Sequence, residues 1–493
     1  MIQAAQTAQG GFFGHPRGLA TLFFTEMWER FSYYGMRGIL ILFMVDAIQT
    51  GGLGLTVGRA ATVYGLYTAA AYLMALPGGW FADRVVGPRN AVFYGGVLIA
   101  AGQFCLALAA TVPMGFYSGL LLIVTGTGLL KPNASAIVGS LYPEGGARRD
   151  AGFSVFYMGI NLGAFIGPLV CGALGEHVAW KWAFTAAGAG MVLGLVQYRA
   201  GAGLADLGRA PAHDAAERAK TRRTLLGAAL SILAVSAAVY VLQSREVTTF
   251  SLEQFADATG YLIFGLVVAY FGLLLVSREW DAVVKKRLVL IFFLVVGSAL
   301  FWSGFEQAGS SMNLFAAQYT DRVIFGWEAP ASWLQAVNPI FIITLAPVFG
   351  WIWLTLGSRN PSVAVKFGLG LVFLGLGFLV MAWAAVYATP VNGVSPMWLV
   401  VAFFFHTSGE LCLSPIGLSA VTKLAPKVLV GRMMGVWFMG TSLGNLIAGR
   451  AAGLMEELPL TRLFGTVAVI VLGAGMLYIV LRRPISRLSQ GVE

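Results

Sequence analysis

The sequence predicts an all-α polytopic membrane protein of fourteen spans, arranged as two six-helix bundles plus two extra helices. Hydrophobic residues make up 58% of the 493 positions and charged residues only 11%, whereas a soluble domain carries about 25% charged residues. So few charges cannot cover a water-facing surface. At about 20 apolar residues per crossing, such a chain has room for little besides spans. The 63 glycines suit close helix packing in lipid.

Apolar runs bounded by glycine, proline or charges predict the spans in chain order. The first six are 20–48, 59–82, 90–111, 115–139, 152–175 and 181–199. Two more follow a polar stretch, at 224–243 and 258–278. The last six are 286–318, 328–356, 365–387, 396–424, 430–453 and 461–482. We therefore expect an N-terminal bundle over 1–199, a cytoplasmic linker over 200–223, two extra helices within 224–285, and a C-terminal bundle with a cytoplasmic tail over 286–493.

The distribution of Lys and Arg predicts the orientation, because cytoplasmic loops carry an excess of both. With the N-terminus inside, 23 of the 32 basic residues fall in cytoplasmic loops, tails or adjoining helix ends. Five fall outside and four lie within spans. We expect a multi-pass protein of the bacterial inner membrane with both termini in the cytoplasm.

Several other functions are excluded. The net charge of +10 is spread over short loops rather than gathered in one patch, so we expect no nucleic-acid partner. The three cysteines lie in apolar stretches and suggest neither a disulfide framework nor a metal site. No phosphate-binding G-x-x-x-x-G-K-[ST] loop is present. We expect a protein that is not an enzyme and needs no cofactor.

The first span carries charges inside the membrane. At 100° per residue, one arc of about 140° holds a polar set: Glu26, Glu29, Arg30, Tyr33, Tyr34 and Arg37. An intramembrane charge costs at least about 2.5–3.5 kcal/mol on insertion scales, so it is a functional hypothesis by default. The alternative is a Glu–Arg pair that only locks the bundle. Two carboxylates, two arginines and two tyrosines exceed what a lock needs.

Polar groups also interrupt later spans. Lys131 stands in the fourth span before Pro132 and needs a counter-ion, for which Glu26 and Glu29 are the candidates. Asn161 lies in the fifth span and, taken alone, suits an interhelical hydrogen bond.

The second half offers carboxylates. Glu306 lies in its first span and Glu410 in its fifth, and Asn338-Pro339 is expected to interrupt the second. His406 and Ser414 share a helix face with Glu410. For His406 a packing or hydrogen-bonding role is favoured over proton transfer. Arg450 lies near the outer end of its span, which favours a snorkelling or gate residue.

The two halves therefore have complementary charge, with Arg30, Arg37 and Lys131 facing Glu306 and Glu410. A substrate with a carboxylate at one end and an ammonium at the other would bind across them. Di- and tripeptides are such zwitterions, with termini about 7–10 Å apart, although other zwitterions also fit. Aromatic walls for variable side chains could come from five residues: Tyr33, Tyr34, Tyr72, Trp302 and Trp437.

These motifs resemble the proton-coupled oligopeptide transporter family of the major facilitator superfamily, of bacterial type. Glu26–Gly35 reads E-x-x-E-R-F-x-Y-Y-G, and Phe156–Gly163 reads F-Y-x-x-I-N-x-G. Gly78–Arg89 is similar to the superfamily's first-loop signature, and Lys131 stands in mid-span. The resemblance covers essentially the whole chain and implies a major facilitator fold. Animal members use a histidine in the second helix, but 59–82 contains none.

The resemblance also implies residue roles. Arg30 and Lys131 would meet the peptide carboxylate, with Glu26 and Glu29 as proton-sensitive partners. Asn161, Asn338 and Glu410 would meet the amino end. Four other positions match pocket-lining sites, Tyr33, Tyr34, Tyr72 and Trp437, and Glu306 matches a gating or coupling acid. From the charge pattern and the shared helix face, Arg37 and Ser414 are further substrate-binding candidates.

We expect a proton-driven symporter of di- and tripeptides that works by alternating access, needs only the proton gradient as its energy source, and functions as a monomer in the lipid bilayer. Three alternatives remain: a carrier of nitrate, an amino acid or a drug; a membrane-embedded enzyme; and a receptor without turnover. Glu410 argues against a simple anion as the cargo.

Overall fold

The computed structural model describes residues 11–144, 146–204, 207–208, 216–217, 219–227, 230–231 and 251–489. Helices dominate this part of the chain. The first half contains seven of them: α1 Arg17–Val45, α2 Val57–Leu73, α3 Ala75–Phe81, α4 Pro88–Ala107, α5 Pro113–Ser140, α6 Gly146–His177 and α7 Trp180–Ala200. A 3₁₀ turn at Ile48–Thr50 and a π turn at Ala82–Val86 join neighbouring helices.

The second half follows one separate helix, α8 Leu252–Val276. Its helices are α9 Ala282–Phe305, α10 Ser311–Tyr319, α11 Val337–Leu356, α12 Val363–Tyr387, α13 Met397–Leu424, α14 Val430–Gly453, α15 Leu460–Val480 and α16 Arg482–Leu488. Four 3₁₀ turns lie between them: Glu306–Gly309, Ala331–Ala336, Gly357–Arg359 and Lys427–Leu429. A short antiparallel hairpin pairs β1 Val323–Ile324 with β2 Trp327–Glu328.

Thirteen of the fourteen predicted spans coincide with a helix or with consecutive helical segments of the described chain. The other one, 224–243, lies mostly outside the described residues, and so does part of the predicted linker at 200–223. Within the described part, nine helices are long and apolar enough to cross a membrane. The 29-residue α1 is not among them. Its apolar run is interrupted by two glutamates and two arginines.

Consecutive long helices run in alternating directions, which gives the molecule two ends. We call the end where α1 begins and α15 ends the terminus face, and the other end, where α1 ends and α15 begins, the far face. Within the first half, α1 packs against α6 and α7, and α4 packs against α5. Within the second half, α12 packs against α13 and α15. Each half is therefore a helix bundle.

The halves meet most extensively where α2 packs along α14. Glycines allow this close approach, since a Cβ added to Gly65 would lie 3.0 Å from the Cα of Gly449. Small residues at a helix crossing let backbones approach closely in lipid. The separate helix α8 packs against both α2 and α14, with Ile263 in a cluster with Ala69 and Leu446. It therefore spans the junction between the halves.

The expected interruption at Asn338-Pro339 is wrong in position. A 3₁₀ turn ends at Ala336, and α11 then starts at Val337, so Pro339 is the third residue of the helix. Proline is tolerated in a first turn because the first N–H groups of a helix have no intrahelical partner. Asn338 consequently sits at the beginning of a continuous helix.

Candidate functional site

The charged face of α1 forms a buried ion cluster. Glu26, Glu29 and Arg30 are at most 3% exposed. The Arg30 guanidinium donates to both carboxylate oxygens of Glu29, with 2.7 Å between Arg30 Nη2 and Glu29 Oε1. Arg30 Nε also lies 3.4 Å from Glu26 Oε1, one helical turn away. The second oxygen of Glu26, Oε2, is buried without a hydrogen-bond partner among the described residues.

Two tyrosines of the same helix cover Arg30. Its guanidinium carbon lies 4.9 Å from the centroid of the Tyr33 ring and 5.9 Å from that of Tyr34. The two rings meet edge-on, 5.2 Å apart. Cation–π contacts of this kind are worth more once the cation is desolvated, so the tyrosines help to hold a buried positive charge.

Lys131 departs from its expected pairing. Within the described residues it forms no ion pair of 4 Å or less with Glu26 or Glu29. Its ammonium lies 4.6 Å from the centroid of the Tyr72 ring instead. Glu29 and Glu26 remain the carboxylates that act most strongly on Lys131 electrostatically. The helix α5 continues through Pro132 to Ser140.

A second buried pair joins the halves nearer the far face. Arg37 Nη2 lies 2.8 Å from Glu306 Oε2, and Arg37 Nε donates to the Tyr64 hydroxyl at 2.7 Å. Arg37 and Glu306 are 6% and 4% exposed. Glu306 reaches Arg37 from the 3₁₀ turn that follows α9. This break in the helix directs the carboxylate toward α1.

The second half contributes an amide and a carboxylate. Asn338 Nδ2 donates to Glu410 Oε2 at 3.3 Å and to Thr407 Oγ1 at 2.9 Å. In the first half, Asn161 is 7% exposed and its amide donates to the carbonyl oxygen of Tyr157 in its own helix. The structure thus brings Asn338 and Glu410 into direct contact.

A small cavity of about 20 Å³ joins the two sets of residues. Tyr34 and Arg37 line it from the first half, and Gln335 and Asn338 from the second. A volume of this size holds about one water molecule. The Nε2 of Gln335 is buried without a partner among the described residues. This water-sized space lies between Tyr34 and Arg37 of α1 and Asn338 of the Asn338–Glu410 pair.

Other predicted residues lie away from these contacts. Trp437 is 5% exposed and packs against Phe367; Gly417 makes room for it, since a Cβ there would lie 2.2 Å from the indole. Trp302 keeps its indole N–H buried and unpaired among the described residues. Ser414 is half-buried one turn after Glu410.

Two more predicted residues are His406, which packs in the interior of the second half, and Arg450, which forms an ion pair at the surface. His406 is 1% exposed, and its ring packs against Phe378 and into the space left by Gly377. This placement agrees with the packing role favoured for it. Arg450 lies 3.5 Å from Asp257 of α8, with both side chains well exposed.

A carboxylate at the far face connects the halves and was not predicted. Glu176, near the end of α6, accepts hydrogen bonds from the backbone N–H groups of Ala331 (2.6 Å) and Ser332 (3.1 Å) and from the Ser332 hydroxyl. Arg322 lies 3.7 Å from the same carboxylate. Glu176 thereby caps the 3₁₀ turn of the second half, and we call this contact the far-face latch.

Sequence reasoning also missed Tyr64, Thr407 and Asn313. The Asn313 amide donates to the carbonyl oxygen of Gly38 at 2.7 Å, across the halves. Tyr64 precedes the predicted Tyr72 by eight residues and so shares its helix face, a signal that could have found it. Thr407 and Asn313 carry no comparable signal, because single hydroxyl and amide residues are common within spans.

No group of three or more His, Cys, Asp or Glu able to hold a metal occurs in the described part of the chain. The residues described above are charged, amide and aromatic side chains.

Comparisons with known proteins all indicate the same protein family. The family model described as "POT family" matches residues 89–470. The chain is 41% identical to the peptide transporter YePEPT of Yersinia enterocolitica, covering all of this chain and 99% of that one. It is 34% identical to the di-/tripeptide transporter of Lactococcus lactis subsp. cremoris over the full length of both. A crystal structure of a peptide transporter POT in complex with sulfate matches with a TM-score of 0.90 at 41% identity, covering 98% of each chain.

Proposed function

The chain belongs to the POT family, and we propose that it imports di- and tripeptides together with protons. Members of this family are transporters rather than enzymes. The protein has the predicted major facilitator-type fold, which the solved POT structures share. The relatives from Yersinia and Lactococcus are named as peptide or di-/tripeptide transporters. We further propose that it works as a monomer in the inner membrane, with the terminus face in the cytoplasm.

One observation carries the proposal. The two halves contribute buried groups of opposite charge: the ammonium of Lys131 in the first half lies over the Tyr72 ring, and the carboxylate of Glu410 in the second accepts from Asn338. A molecule that carries both an ammonium and a carboxylate can satisfy the two at once. A buried charge is costly unless it is paired, so binding a zwitterion stabilises both.

The carboxylate end of the peptide would bind beside Lys131. Arg30 is already bound twice by Glu29 and once by Glu26, whereas the contact that Lys131 makes among the described residues is with the Tyr72 ring. The peptide carboxylate therefore meets Lys131 first, with Arg30 adding its field from α1. The rings of Tyr33 and Tyr34 cover the guanidinium of Arg30.

The amino end would bind at Glu410. Asn338 donates to one carboxylate oxygen, which orients the group and leaves the other oxygen to accept from the peptide ammonium. Asn161 lies in the opposing half and would add its amide oxygen, while its amide nitrogen donates to the carbonyl oxygen of Tyr157 in its own helix. Arg37, Ser414 and Trp437 would line the remaining space.

The proton would bind at the ion cluster of α1. Glu26 has one oxygen without a hydrogen-bond partner in the described part of the chain, whereas Glu29 has both oxygens bound to Arg30. A proton on Glu26 removes a negative charge beside Arg30 and Lys131. Both cations then attract the peptide carboxylate more strongly, which couples the two binding events. Glu306 would serve as a second proton site, and its protonation would release Arg37.

Alternating access follows from where the halves are joined. The Arg37–Glu306 pair and the far-face latch hold the far face closed. With the termini in the cytoplasm, this state is closed to the outside. Proton and peptide binding from outside would require these contacts to open. One proton moving down 100 mV and one pH unit supplies about 3.7 kcal/mol, enough for about 500-fold accumulation of a neutral zwitterion.

Blocked dipeptides test the orientation of the substrate. Competition with labelled dialanine would be measured for N-acetyl-dialanine and for dialanine amide, on the wild type, Lys131→Gln and Glu410→Gln. Losing one buried charge contact costs about 2–5 kcal/mol. We expect the acetyl block to weaken binding in the wild type but not further in Glu410→Gln, and the amide block to behave in the same way with Lys131→Gln.

If the block and the substitution weaken binding additively in both variants, the assignment of the two ends of the peptide is contradicted.

A second candidate function is the carriage of other small zwitterions, since a related POT structure, 35% identical, was solved with 5-aminolevulinic acid. Competition by that compound but not by dialanine would favour this candidate. Competition by nitrate alone would favour an anion carrier.

A further inference from the structure

A buried amide without a hydrogen-bond partner lies where the two halves meet. Asn445 of α14 is 0% exposed, and neither its amide nitrogen nor its amide oxygen has a hydrogen-bond partner in the described part of the chain. Most buried polar side chains in proteins are hydrogen-bonded, because leaving one unpaired away from water costs free energy. Asn445 therefore destabilises the conformation in which it is buried.

Two other helices approach this part of α14 closely. A Cβ added to Gly65 of α2 would lie 3.1 Å from the backbone carbonyl oxygen of Asn445. One added to Gly444 would lie 2.8 Å from the Cβ of Trp302 in α9. The neighbouring Leu446 packs against α8. Asn445 is therefore enclosed where α2 of the first half meets α9 and α14 of the second.

Hydrogen bonds hold α2 to α14 on either side of Asn445. About one turn nearer the terminus face, the Ser442 hydroxyl donates to the carbonyl oxygen of Ala69 at 2.8 Å. At the far end of the same junction, the backbone N–H of Val57 donates to Glu456 Oε1 at 3.1 Å. The Asn445 side chain adds no hydrogen bond between them within the described residues. It is buried when the junction closes, yet it does not help to hold the junction closed.

We propose that Asn445 shifts the balance of the molecule toward an open far face. This role rests on the alternating access of the proposed function. When the far ends of α2 and α14 separate, water reaches the amide and pairs with its donor and its acceptor. The cost of an unpaired amide then belongs to the closed state alone, and it raises the ratio of open to closed molecules about tenfold. Asn445 is thus a positioning residue that binds neither peptide nor proton.

Asn445→Leu tests this role, because leucine has a similar volume and no polar group. The thermal unfolding midpoint would be measured without peptide, and the distance between spin labels at Ile48 and Val391 would be measured with and without Glu176→Ala. We expect the midpoint to rise by several degrees and the longer, open distance to fall about tenfold in population. Neither measurement needs a cargo or a proton gradient, so a failure of this role can be distinguished from a failure of peptide transport.

A second buried asparagine provides the matched control. Asn313 is 2% exposed, and its amide donates to the carbonyl oxygen of Gly38 at 2.7 Å across the halves. Asn313→Leu removes a bond that holds the closed state, so it should lower the midpoint and increase the open population. A folded Asn445→Leu variant that shifts both measurements in the same direction as Asn313→Leu, or shifts neither, would overturn the role of Asn445.

A smaller replacement tests the same role without a bulky side chain. Asn445→Cys, in a chain whose three native cysteines are replaced, would be reacted with a water-soluble maleimide. We expect the thiol to react about tenfold faster in preparations that show the longer spin-label distance than in preparations that do not. Equal rates would show that water does not reach this position when the far face opens, and would overturn the role as well.

Discussion

Burial separates the charged pairs that hold the halves together from those that do not. The Arg37–Glu306 pair has side chains 8% and 5% exposed, whereas the Arg450–Asp257 pair has side chains 53% and 39% exposed. Removing one partner of a buried pair costs about 3–5 kcal/mol, because the other charge is left uncompensated. An exposed pair is worth about 0–1 kcal/mol. The two ion pairs are therefore expected to differ in how much each contributes to the stability of the protein.

Arg37→Ala should lower the thermal unfolding midpoint of the purified protein markedly, because it leaves Glu306 and the Tyr64 hydroxyl buried without their partner. Asp257→Ala, the matched control, should leave the midpoint nearly unchanged. The comparison is made in one detergent at one pH. Equal shifts for the two variants would show that burial does not determine the strength of these pairs.

The Glu26→Gln variant should still exchange peptide across the membrane but should no longer accumulate it against a gradient. Glutamine retains the shape and one oxygen acceptor for Arg30, yet it cannot take up or release a proton. We expect labelled dialanine to exchange across proteoliposomes preloaded with unlabelled dialanine, while accumulation driven by a proton gradient falls to background. Glu457→Gln, an exposed carboxylate at the far face, is the control. Full gradient-driven accumulation by Glu26→Gln would remove Glu26 from the proton pathway.

The sequence could reveal the charged residues of the site because a charge inside an apolar span is rare and costly. It could not reveal their partners. Lys131 lies over the Tyr72 ring instead of pairing with Glu26 or Glu29, since which groups meet depends on how two helices are rotated about their axes. Periodicity within one span carries no such information.

At the scale of elements, the spans could be predicted but their breaks could not. Hydrophobic runs placed 286–318 and 59–82 correctly, yet the structure divides the first at Glu306–Gly309 and the second between Leu73 and Ala75. The break at Glu306 turns its carboxylate toward Arg37. Composition cannot show this, because the residues on either side are equally apolar.

The far-face latch belongs to this scale, because one side chain of α6 holds a whole turn of the other half. Glu176→Ala leaves two backbone N–H groups and Arg322 without their acceptor. Hydrogen bonds to a charged group are worth about 1.5–3 kcal/mol each, so the closed state should lose most of its advantage. We expect a new, longer distance between spin labels at the exposed far-face positions Ile48 and Val391, after replacement of the native cysteines.

Glu457→Ala removes an exposed far-face carboxylate and serves as the control for that measurement, with an unchanged distance distribution. If Glu176→Ala also leaves the distribution unchanged, the latch does not hold the far face closed. The closure would then rest on the Arg37–Glu306 pair and on the packing of α2 along α14.

At the scale of the whole molecule, two helix bundles meet, and the proposed site takes residues from both of them. The sequence predicted this division from the charges, and the structure adds where the bundles are joined: along α2 and α14, across α8, and at the far face. These junctions depend on glycine contacts and on caps between distant segments, which no local pattern encodes. The proposed transport cycle requires them to open and close as a unit.

Uptake of labelled dialanine into proteoliposomes that contain the purified protein tests proton–peptide symport most directly. An inward proton gradient would be imposed, with and without a protonophore, beside protein-free liposomes. The account predicts accumulation above the external concentration that collapses when the protonophore is added. Uptake that only equilibrates, and that the protonophore leaves unchanged, would contradict it.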